Sequence, residues 1–338
     1  MPALSACLIV KNEAAMLKRT LGSLKNQADE IIVVDTGSSD DTIAAAKEFG
    51  AKVYEFPWTN DFAAARNESL QHATGDWIIW IDADEFMPEE ELRKLKEVIN
   101  TTKASGITVT IYESQIGTCQ LNNGYQRVKV FRNGVGVHFD RPVNEQVVAE
   151  NGAALSGEKS GINIYHWGKD ADEAKLKAKS EYYVTLLTKA LEEKPNDPCF
   201  QYMLANRLAE LNRLEEAIKH YQAAFALAPG QTVGRQAQEG LANSLLRLKR
   251  LPAAAPAAEV LLRSDQQNIP ARNILASVHL VGGQLDEAIA ILKEALRIKI
   301  TDRVENIQQT RIMPNFLLSK AYQLKAEQTK GEGNKRGR

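Results

Sequence analysis

Cysteine is scarce in this chain of 338 residues, and neither sign of charge is in large excess. The three cysteines, Cys7, Cys119 and Cys199, lie far apart and form no C-x-x-C pair. This spacing argues against a disulfide framework or a zinc site and fits a reducing cytoplasm. The formal net charge of −1 provides no overall field that would attract nucleic acid. We therefore expect a cytoplasmic protein that does not bind nucleic acid.

Long apolar runs are also missing. The short run at residues 6–10 ends at Lys11, Asn12 and Glu13, so it is too short for the core of a signal peptide, and no stretch could span a bilayer. We expect peripheral membrane contact at most. The sequence contains neither G-x-G-x-x-G nor a Walker P-loop, which disfavours a dinucleotide-binding fold and a P-loop kinase. A nucleotidyltransferase is disfavoured because no Gly-rich phosphate loop follows the first predicted strand.

The first hundred residues alternate between short apolar runs and segments with helical periodicity. Strands are predicted at residues 4–10, 30–34, 52–55 and 77–81, with helices at 14–27, 39–49 and 62–73. Continuous apolar strands with helices between them predict a parallel sheet. From about residue 105 to 165, short strands at 106–112, 125–131 and 143–148 predict a mixed extension of that sheet.

Two carboxylates, Asp82 and Asp84, follow the predicted strand at 77–81. Alternation along an extended chain would point both to the same side, and the carboxyl ends of strands are where open α/β sheets bind ligands. Two hard oxygen ligands suit Mg²⁺ or Mn²⁺, which would neutralise a diphosphate. The alternative is an acidic helix start, because Pro88 and an acidic run at 89–91 come next.

Two further strands are predicted to deliver polar residues to the same edge of the sheet. The first strand ends at Lys11, Asn12 and Glu13, and the second ends at Asp35. An isolated Asp35 would be an ordinary turn or N-cap residue. Acidic groups at three neighbouring strand ends instead favour a cation site.

After His166 the chain is predicted to be helical. A long helix at residues 173–191 precedes a recurring unit marked by Leu204-Ala205, Leu241-Ala242 and Leu275-Ala276, spaced by about 37 and about 34 residues. This period is close to that of tetratricopeptide repeats, in which small residues let antiparallel helices approach closely. The alternative is a generic helical bundle.

These patterns predict four segments. Residues 1–168 form an α/β domain, 169–195 a linking helix and 196–327 an all-α tetratricopeptide-like repeat domain. Residues 328–338 are predicted to be a basic, disordered tail, since chain ends rich in Gly and Lys fray readily.

Four blocks of the first half, residues 5–13, 31–42, 61–67 and 75–85, resemble family-2 glycosyltransferases of the GT-A fold. The resemblance covers about residues 4–168 by motif, and the branch it resembles most is bacterial and carries tetratricopeptide repeats behind the catalytic domain. It implies inverting transfer from a nucleotide-diphosphate sugar, with uridine as the expected nucleoside, and a divalent ion, Mn²⁺ or Mg²⁺. The implied acceptor is a protein, a peptide or an envelope glycan, and the repeats would grip a polypeptide or form a homodimer.

The resemblance also assigns site residues by position. The implied nucleotide-sugar site comprises Lys11, Asn12, Glu13, Asp35, Arg66, Asp82 and Ala83, with Asp35 holding the base. The implied metal ligands are Asp84, chiefly, with Asp82 and His166. For Arg66 the alternative is a salt bridge to Asp61 or Asp82 that shapes the site. For His166 it is a structural histidine among aromatic neighbours.

Glu145 stands where this branch usually has His-Glu before an apolar residue, although Asn144 replaces the histidine here. The resemblance implies that Glu145 is the general base that deprotonates the acceptor, a task that suits a carboxylate. The alternative is an exposed glutamate on an edge strand. A different class of function also stays open: an inactive sugar-transfer domain attached to a helical scaffold that binds a protein partner. Acidic groups at three strand ends favour the enzyme.

Overall fold

The computed structural model describes residues 1–114, 122–167, 173–299 and 308–336. The chain divides into two compact units, Met1–Ala171 and Asp172–Arg338. The described residues of the first unit form four helices: α1 (Ala14–Leu24), α2 (Thr42–Glu48), α3 (Phe62–Gln71) and α4 (Glu89–Thr101). Its strands are β1 (Leu4–Val10), β2 (Glu30–Asp35), β3 (Lys52–Glu55), β4 (Trp77–Trp80), β5 (Glu85–Phe86), β6 (Gly106–Glu113), β7 (Asn122–Arg132), β8 (His138–Asp140), β9 (Gln146–Val148) and β10 (Glu158–His166).

Eight of these strands form one sheet in the order β3-β2-β1-β4-β7-β6-β10-β5. The first four are parallel, β7 is antiparallel to both of its neighbours, β6 and β10 are parallel, and β5 is antiparallel to β10. The predicted α/β class with a mixed, mainly parallel sheet is confirmed. The prediction that residues 143–148 extend this sheet is wrong, because β9 pairs with β8 in a separate two-stranded sheet.

The sheet is buried on both faces, which explains why its central strands are continuously apolar. Side chains alternate between the faces along β4, so Ile79 packs in the cluster that contains residues of α1 and α4, whereas Ile78 and Trp80 pack in the cluster with Ala63 of α3. Phe139 of β8 and Val147 of β9 join that second cluster. The small sheet therefore covers the α3 face of the large one.

The parallel pairing of β1 with β2 and of β1 with β4 places the carboxyl ends of all three strands at one edge of the sheet, as predicted. The stretch after β4 differs from the prediction, however. The strand ends at Trp80, and the amide of Glu85 donates to the carbonyl of Asp82 at 3.0 Å, which closes a turn. Because the chain is not extended there, strand alternation does not relate Asp82 to Asp84.

The second unit is helical. Its helices are α5 (Glu173–Glu193), α6 (Pro198–Glu210), α7 (Leu214–Leu227), α8 (Thr232–Arg247), α9 (Leu251–Ser264), α10 (Ile269–Val281), α11 (Leu285–Arg297) and α12 (Met313–Arg336), with a π-helical segment at Gln308–Ile312. The alanines of the three recurring Leu-Ala pairs, Ala205, Ala242 and Ala276, are fully buried, one in each of α6, α8 and α10. Small side chains at these positions let successive helices pack closely.

The predicted disordered tail differs from the structure, because α12 continues through Arg336. Its sequence up to residue 330 is rich in Gln, Lys, Glu and Ala, which are strong helix formers and extend the preceding turns. No helix in the described part of the chain is long and apolar enough to cross a membrane. Cys7 and Cys199 are free, and Cys119 lies outside the described residues.

Candidate active site

Asp35, the last residue of β2, is buried at the carboxyl edge of the sheet. Its Oδ2 accepts hydrogen bonds from the amides of Gly37 and Ser38 at 3.0 and 2.9 Å. Its Oδ1 is also buried but has no hydrogen-bond partner among the described residues. A buried acceptor without a donor costs free energy, so this oxygen is suited to receive an N–H group from a ligand.

The residues after β1 are tied to the residues after β2. The amide of Asn12 donates to Ser38 Oγ at 2.9 Å, and Asn12 Oδ1 accepts from the amide of Ser39 at 2.7 Å. Asn12 has a φ of 56°, a left-handed conformation that Asn adopts more readily than most residues. The amide of Glu13 donates to Thr42 Oγ1 at 2.8 Å. These bonds fix the loop around Asp35, while Lys11 is exposed beside it.

Arg66 of α3 is buried and links two of the predicted site residues. Its Nε donates to Glu145 Oε1 at 2.7 Å and its Nη2 donates to Asp82 Oδ1 at 2.6 Å. The salt bridge between Arg66 and Asp82, expected as the alternative role of Arg66, is therefore present. Asp61 does not take part in it and instead caps α3 by accepting from the amide of Ala64. Arg66 therefore positions the two carboxylates.

Glu145 reaches Arg66 because β8 is held against α3. The side-chain amide of Asn67 donates to the carbonyl of Phe139 at 2.9 Å, and its Oδ1 accepts from the amide of Phe139 at 2.8 Å. The amide of Phe62 also donates to the carbonyl of Pro142 at 2.9 Å. Glu145 is 7% exposed, so the alternative of an exposed edge-strand glutamate is wrong.

Lys129 of β7 is fully buried and extends the same network. Its Nζ lies 2.7 Å from Glu85 Oε2 and 3.3 Å from Asp82 Oδ2. It also lies 3.6 Å from the centre of the Trp80 ring, which the guanidinium groups of Arg66 and Arg127 contact as well, at 4.4 and 4.7 Å. The electron-rich face of an indole attracts such cations.

The buried network alternates in sign from Glu145 through Arg66, Asp82 and Lys129 to Glu85. Burial alone would raise the pKa of Asp82, but the positive charges of Lys129 and Arg66 lower it well below its usual range. Burial also disfavours the charged form of Arg66, yet Asp82 and Glu145 raise its pKa. Burial raises the pKa of Glu85, with the charge of Asp82 acting in the same direction and Lys129 opposing it.

Asp84 lies in a different environment from Asp82. Its Oδ2 is 3.1 Å from Nε2 of His166, the last residue of β10. The other ring nitrogen of His166, Nδ1, lies 3.2 Å from Oε1 of Glu113, the last residue of β6. Burial would lower the pKa of His166, but hydrogen bonds to the two carboxylates raise it to about 10.

The pair Asp84–His166 fits part of a divalent metal site. Bonds of about 2.0–2.1 Å at right angles, as Mg²⁺ prefers, separate neighbouring ligand atoms by about 3 Å, close to the distance between Oδ2 and Nε2. Carboxylate and imidazole are both acceptable ligands for Mn²⁺. No group of three or more His, Cys, Asp or Glu side chains that could hold a metal occurs in the described part of the chain, so water or oxygen atoms of a substrate would complete the coordination.

The described contacts join Arg66, Glu145 and Asp82 in one group and Asp84 and His166 in another, and Asp35 lies in a third with the loop that Asn12 and Glu13 hold. Both oxygens of Asp82 face cationic side chains, which would repel a metal ion, and this geometry does not favour Asp82 as a ligand. Ala83 is buried, and its carbonyl accepts from Thr20 Oγ1 at 2.6 Å, which ties the turn to α1.

Sequence reasoning missed Glu113 and Lys129. Both lie on strands whose register is needed to see their role: Glu113 pairs directly with His166, and Lys129 lies on the strand antiparallel to β4. A lysine between two valines in an apolar run was the available signal for a buried countercharge.

Comparisons with known proteins find matches in both units. A model of the family described as glycosyl transferase family 2 matches residues 5–146, and a tetratricopeptide repeat model matches residues 202–269. A TPR repeat-containing protein of Synechococcus elongatus is 40% identical over 168 residues, which are 49% of this chain and 40% of that protein. The glycosyltransferase SunS of Bacillus phage SPbeta is 30% identical over 223 residues, which are 65% of this chain and 52% of that protein. The chain thus spans about half the length of these relatives or less.

Among solved structures, residues 1–349 of TarS from S. aureus align with a TM-score of 0.41 and 14% identity, over 83% of this chain and 92% of that one. Glucosyl-3-phosphoglycerate synthase of Mycobacterium tuberculosis aligns with a TM-score of 0.38 and 19% identity, over 55% of this chain and 79% of that one.

Proposed function

We propose that this chain, which carries a glycosyl transferase family 2 domain, transfers a sugar from a nucleotide-diphosphate sugar to an acceptor with inversion at the anomeric carbon. The observation that supports the proposal is that Asp35, Asp84 and His166 lie at or just beyond strand ends on one edge of the sheet, while Arg66 links Glu145 to Asp82 after β4. Ligands bind at this edge in open α/β sheets. Each group has a separate chemical task.

Asp35 is the proposed base-binding residue. Its unpartnered Oδ1 would accept an N–H of the nucleotide base, and uracil, which carries one ring imino N–H between two carbonyls, is the base that the family resemblance favours. Asn12 and Glu13 hold the loop that surrounds Asp35. Lys11 is exposed beside this loop, where its charge would favour a phosphate.

Asp84 and His166 are the proposed ligands of Mn²⁺ or Mg²⁺. When bound, the ion supplies positive charge that stabilises the departing diphosphate. Asp84 and His166 orient their donor atoms beforehand, 3.1 Å apart. Arg66 and Lys129 neutralise Asp82 and hold the turn that carries Asp84.

Glu145 is the proposed general base. Arg66 holds its Oε1, so the acceptor's proton would pass to Oε2 as the acceptor oxygen attacks the anomeric carbon and the bond to the diphosphate breaks. For the acceptor we propose a polypeptide or an envelope glycan, on the basis of the family resemblance and of the repeat unit, which can present an extended surface. The repeats could instead form a homodimer. The small number of cysteines, of which Cys7 and Cys199 are free, supports a cytoplasmic location.

Removal of the proposed metal ligand tests the donor site. We expect Asp84→Ala to lose the Mn²⁺-dependent part of its affinity for uridine diphosphate, measured by calorimetry with and without Mn²⁺. Asp76→Ala is the matched control, because Asp76 precedes the same strand at its opposite end and bonds to the amide of Ala3. Equal Mn²⁺-dependent affinity in the Asp84 variant and the wild type would refute the site. A thermal-shift screen of nucleotide sugars with Mn²⁺ would identify the donor, since a bound ligand stabilises the folded state.

Replacement of the proposed base tests the chemical step. We expect Glu145→Gln to bind a uridine-diphosphate sugar normally, because the amide oxygen of Gln can still accept from Arg66. Release of uridine diphosphate by slow transfer to water should fall by about 10²–10⁴-fold, the usual contribution of a general base. Glu150→Gln, at an exposed glutamate beyond β9, is the control. Undiminished release in the Glu145 variant would place the base elsewhere.

The second candidate function is a scaffold that binds a protein partner through the repeats. The tetratricopeptide match favours it, and normal nucleotide-sugar binding by the wild type would count against a purely structural first unit.

A further inference from the structure

We propose that Glu113 is a positioning residue of the metal site, which holds the His166 ring so that Nε2 stays beside Asp84. This inference rests on the proposed function, because it assigns a role toward the same divalent ion. Glu113 belongs to none of the four sequence blocks that carry the family resemblance.

The first argument is the register of the sheet. Glu113 and His166 are the last residues of two parallel neighbouring strands, β6 and β10, and they pair directly. Paired residues of neighbouring strands project to the same face, so the strand pairing itself places the two side chains side by side. The contact of 3.2 Å between Oε1 and Nδ1 is therefore built into the sheet.

The second argument is the chemistry of a histidine ligand. A histidine that binds a metal through one ring nitrogen usually donates the N–H of the other to a carboxylate or carbonyl, which fixes the ring and raises the basicity of the ligand. Nδ1 of His166 faces Glu113 and Nε2 faces Asp84, so the ring is held in the orientation that leaves Nε2 for the ion. An ionised carboxylate accepts hydrogen bonds only, so it holds Nδ1 as an N–H.

The third argument is the rigidity of the surroundings. The amide of Trp167 donates to the carbonyl of Asp84 at 2.8 Å, and the amide of Ser114 donates to the carbonyl of His166 at 3.0 Å. The indole of Trp167 stacks on Phe86, with ring centres 4.6 Å apart. The backbones on both sides of the metal pair are thus fixed, and Glu113 holds the Nδ1 side of the ring.

The test measures Mn²⁺ binding by the full chain with excess uridine diphosphate, from the loss of the free Mn²⁺ signal in electron paramagnetic resonance. We expect Glu113→Gln to weaken Mn²⁺ binding by about 10- to 100-fold, as changes to outer-shell partners of metal ligands do. Gln keeps the size of the side chain but has a weaker acceptor and adds a donor that can turn toward Nδ1.

Glu158→Gln is the matched control. Glu158 is the first residue of β10, at the opposite end of the strand from His166, and its Oε2 accepts from Thr102 Oγ1 at 2.5 Å. We expect it to bind Mn²⁺ with wild-type affinity. Urea unfolding of each variant separates a metal role from a structural one, because a purely structural Glu113 would lower the unfolding midpoint without changing the Mn²⁺ affinity of the folded protein.

Wild-type Mn²⁺ affinity in Glu113→Gln, together with weak binding in Asp84→Ala and His166→Ala, would overturn this inference alone. Wild-type affinity in Asp84→Ala would overturn the proposed metal site instead. If Glu113→Gln does not fold, Glu113→Asp provides the second measurement: its shorter side chain should retract the acceptor from Nδ1 and weaken Mn²⁺ binding, and wild-type affinity in that variant would equally overturn the proposal.

Discussion

The two units of this chain bury different kinds of residue. Among its described residues, the first unit buries six Asp, Glu, Lys or Arg side chains: Asp35, Arg66, Glu85, Glu91, Lys129 and Glu145. Among the described residues of the second unit, the buried polar side chains are all uncharged: Ser180, Gln238, Ser244 and Asn273. Its core is made largely of alanine and leucine.

Among the residues that the structure describes, only those of the first unit therefore bear the free-energy cost of burying charged side chains. Burying an ion pair usually gains little stability over an apolar replacement, because both charges lose their hydration. Such pairs persist where chemistry needs a charge in a fixed place, and here they surround the proposed base and the turn after β4. The helical unit buries no such charges among its described residues, so close packing of small apolar side chains is sufficient to stabilise it.

The largest effect is expected from breaking the buried network. Lys129→Met leaves Glu85 and Asp82 without their closest shared cation, so we expect the first unit to lose about 3–5 kcal/mol of stability. The four tryptophans, Trp58, Trp77, Trp80 and Trp167, all lie in the first unit, so urea unfolding followed by tryptophan fluorescence reports on that unit.

Lys18→Met is the control for this variant, because the Lys18–Glu48 pair is exposed on both sides. We expect its fluorescence midpoint to match that of the wild type, since exposed pairs contribute little. A small effect of Lys129→Met, comparable to that of the control, would show that the buried network does not need this cation.

A smaller effect is expected from overpacking the helical unit. A Cβ on Gly234, in α8, would lie 2.0 Å from the carbonyl oxygen of Ala228, and a backbone atom cannot move aside easily. We expect Gly234→Ala to destabilise the second unit by about 1–3 kcal/mol, reduced by the better helix propensity of Ala. Circular dichroism at 222 nm follows the helices of that unit.

Gly22→Ala, in α1, is the matched control, because its Cβ would meet only Phe49, at an ordinary 3.7 Å. There the gain in helix propensity should appear as a small stabilisation of the first unit. If the two variants behaved alike, the close approach of Gly234 to the Ala228 carbonyl would not limit the side chain at this position.

The smallest effect is expected from Glu30 and depends on pH. Burial would raise the pKa of this carboxyl, but hydrogen bonds from Lys52, Ser5 and Thr74 lower it to about 2. Its stabilising contribution should be complete above about pH 4.5, the ordinary pKa of glutamate, and be lost as the pH falls toward 2. Glu30→Gln should therefore lower the fluorescence midpoint at pH 7 and lose this effect near pH 2. Glu55→Gln, exposed at the end of β3, is the control. If the midpoint of Glu30→Gln differed from that of the wild type by the same amount at every pH, the proposed contribution of the Glu30 carboxylate would be contradicted.

Local patterns were enough to predict much of the fold. The predicted bounds of the first and third strands equal those of β1 and β3, because apolar runs flanked by turn residues are strong local signals. The Leu-Ala spacing likewise located α6, α8 and α10. The small sheet of β8 and β9 could not be predicted, because its separation from the large sheet depends on contacts between β8 and α3.

The position of Asp35 at the end of its strand was predictable, because the apolar run before it is a strong local signal. The different roles of Asp82 and Asp84 were not, because a turn after Trp80 replaces the assumed extended chain. Lys129 and Glu113 were not predictable either, since strand register, which a single sequence does not specify, decides what they contact.

The alternating order of charges from Glu145 to Glu85 limits which substitutions this protein tolerates. Each inner member neutralises two neighbours, so replacing one alone leaves an uncompensated charge, whereas replacing adjacent members of opposite sign together removes the mismatch. The penalties of such changes are therefore strongly epistatic, and a double substitution at Lys129 and Glu85 should harm the protein less than the sum of its parts. Homologues that have lost this lysine are expected to have exchanged its acidic neighbour as well.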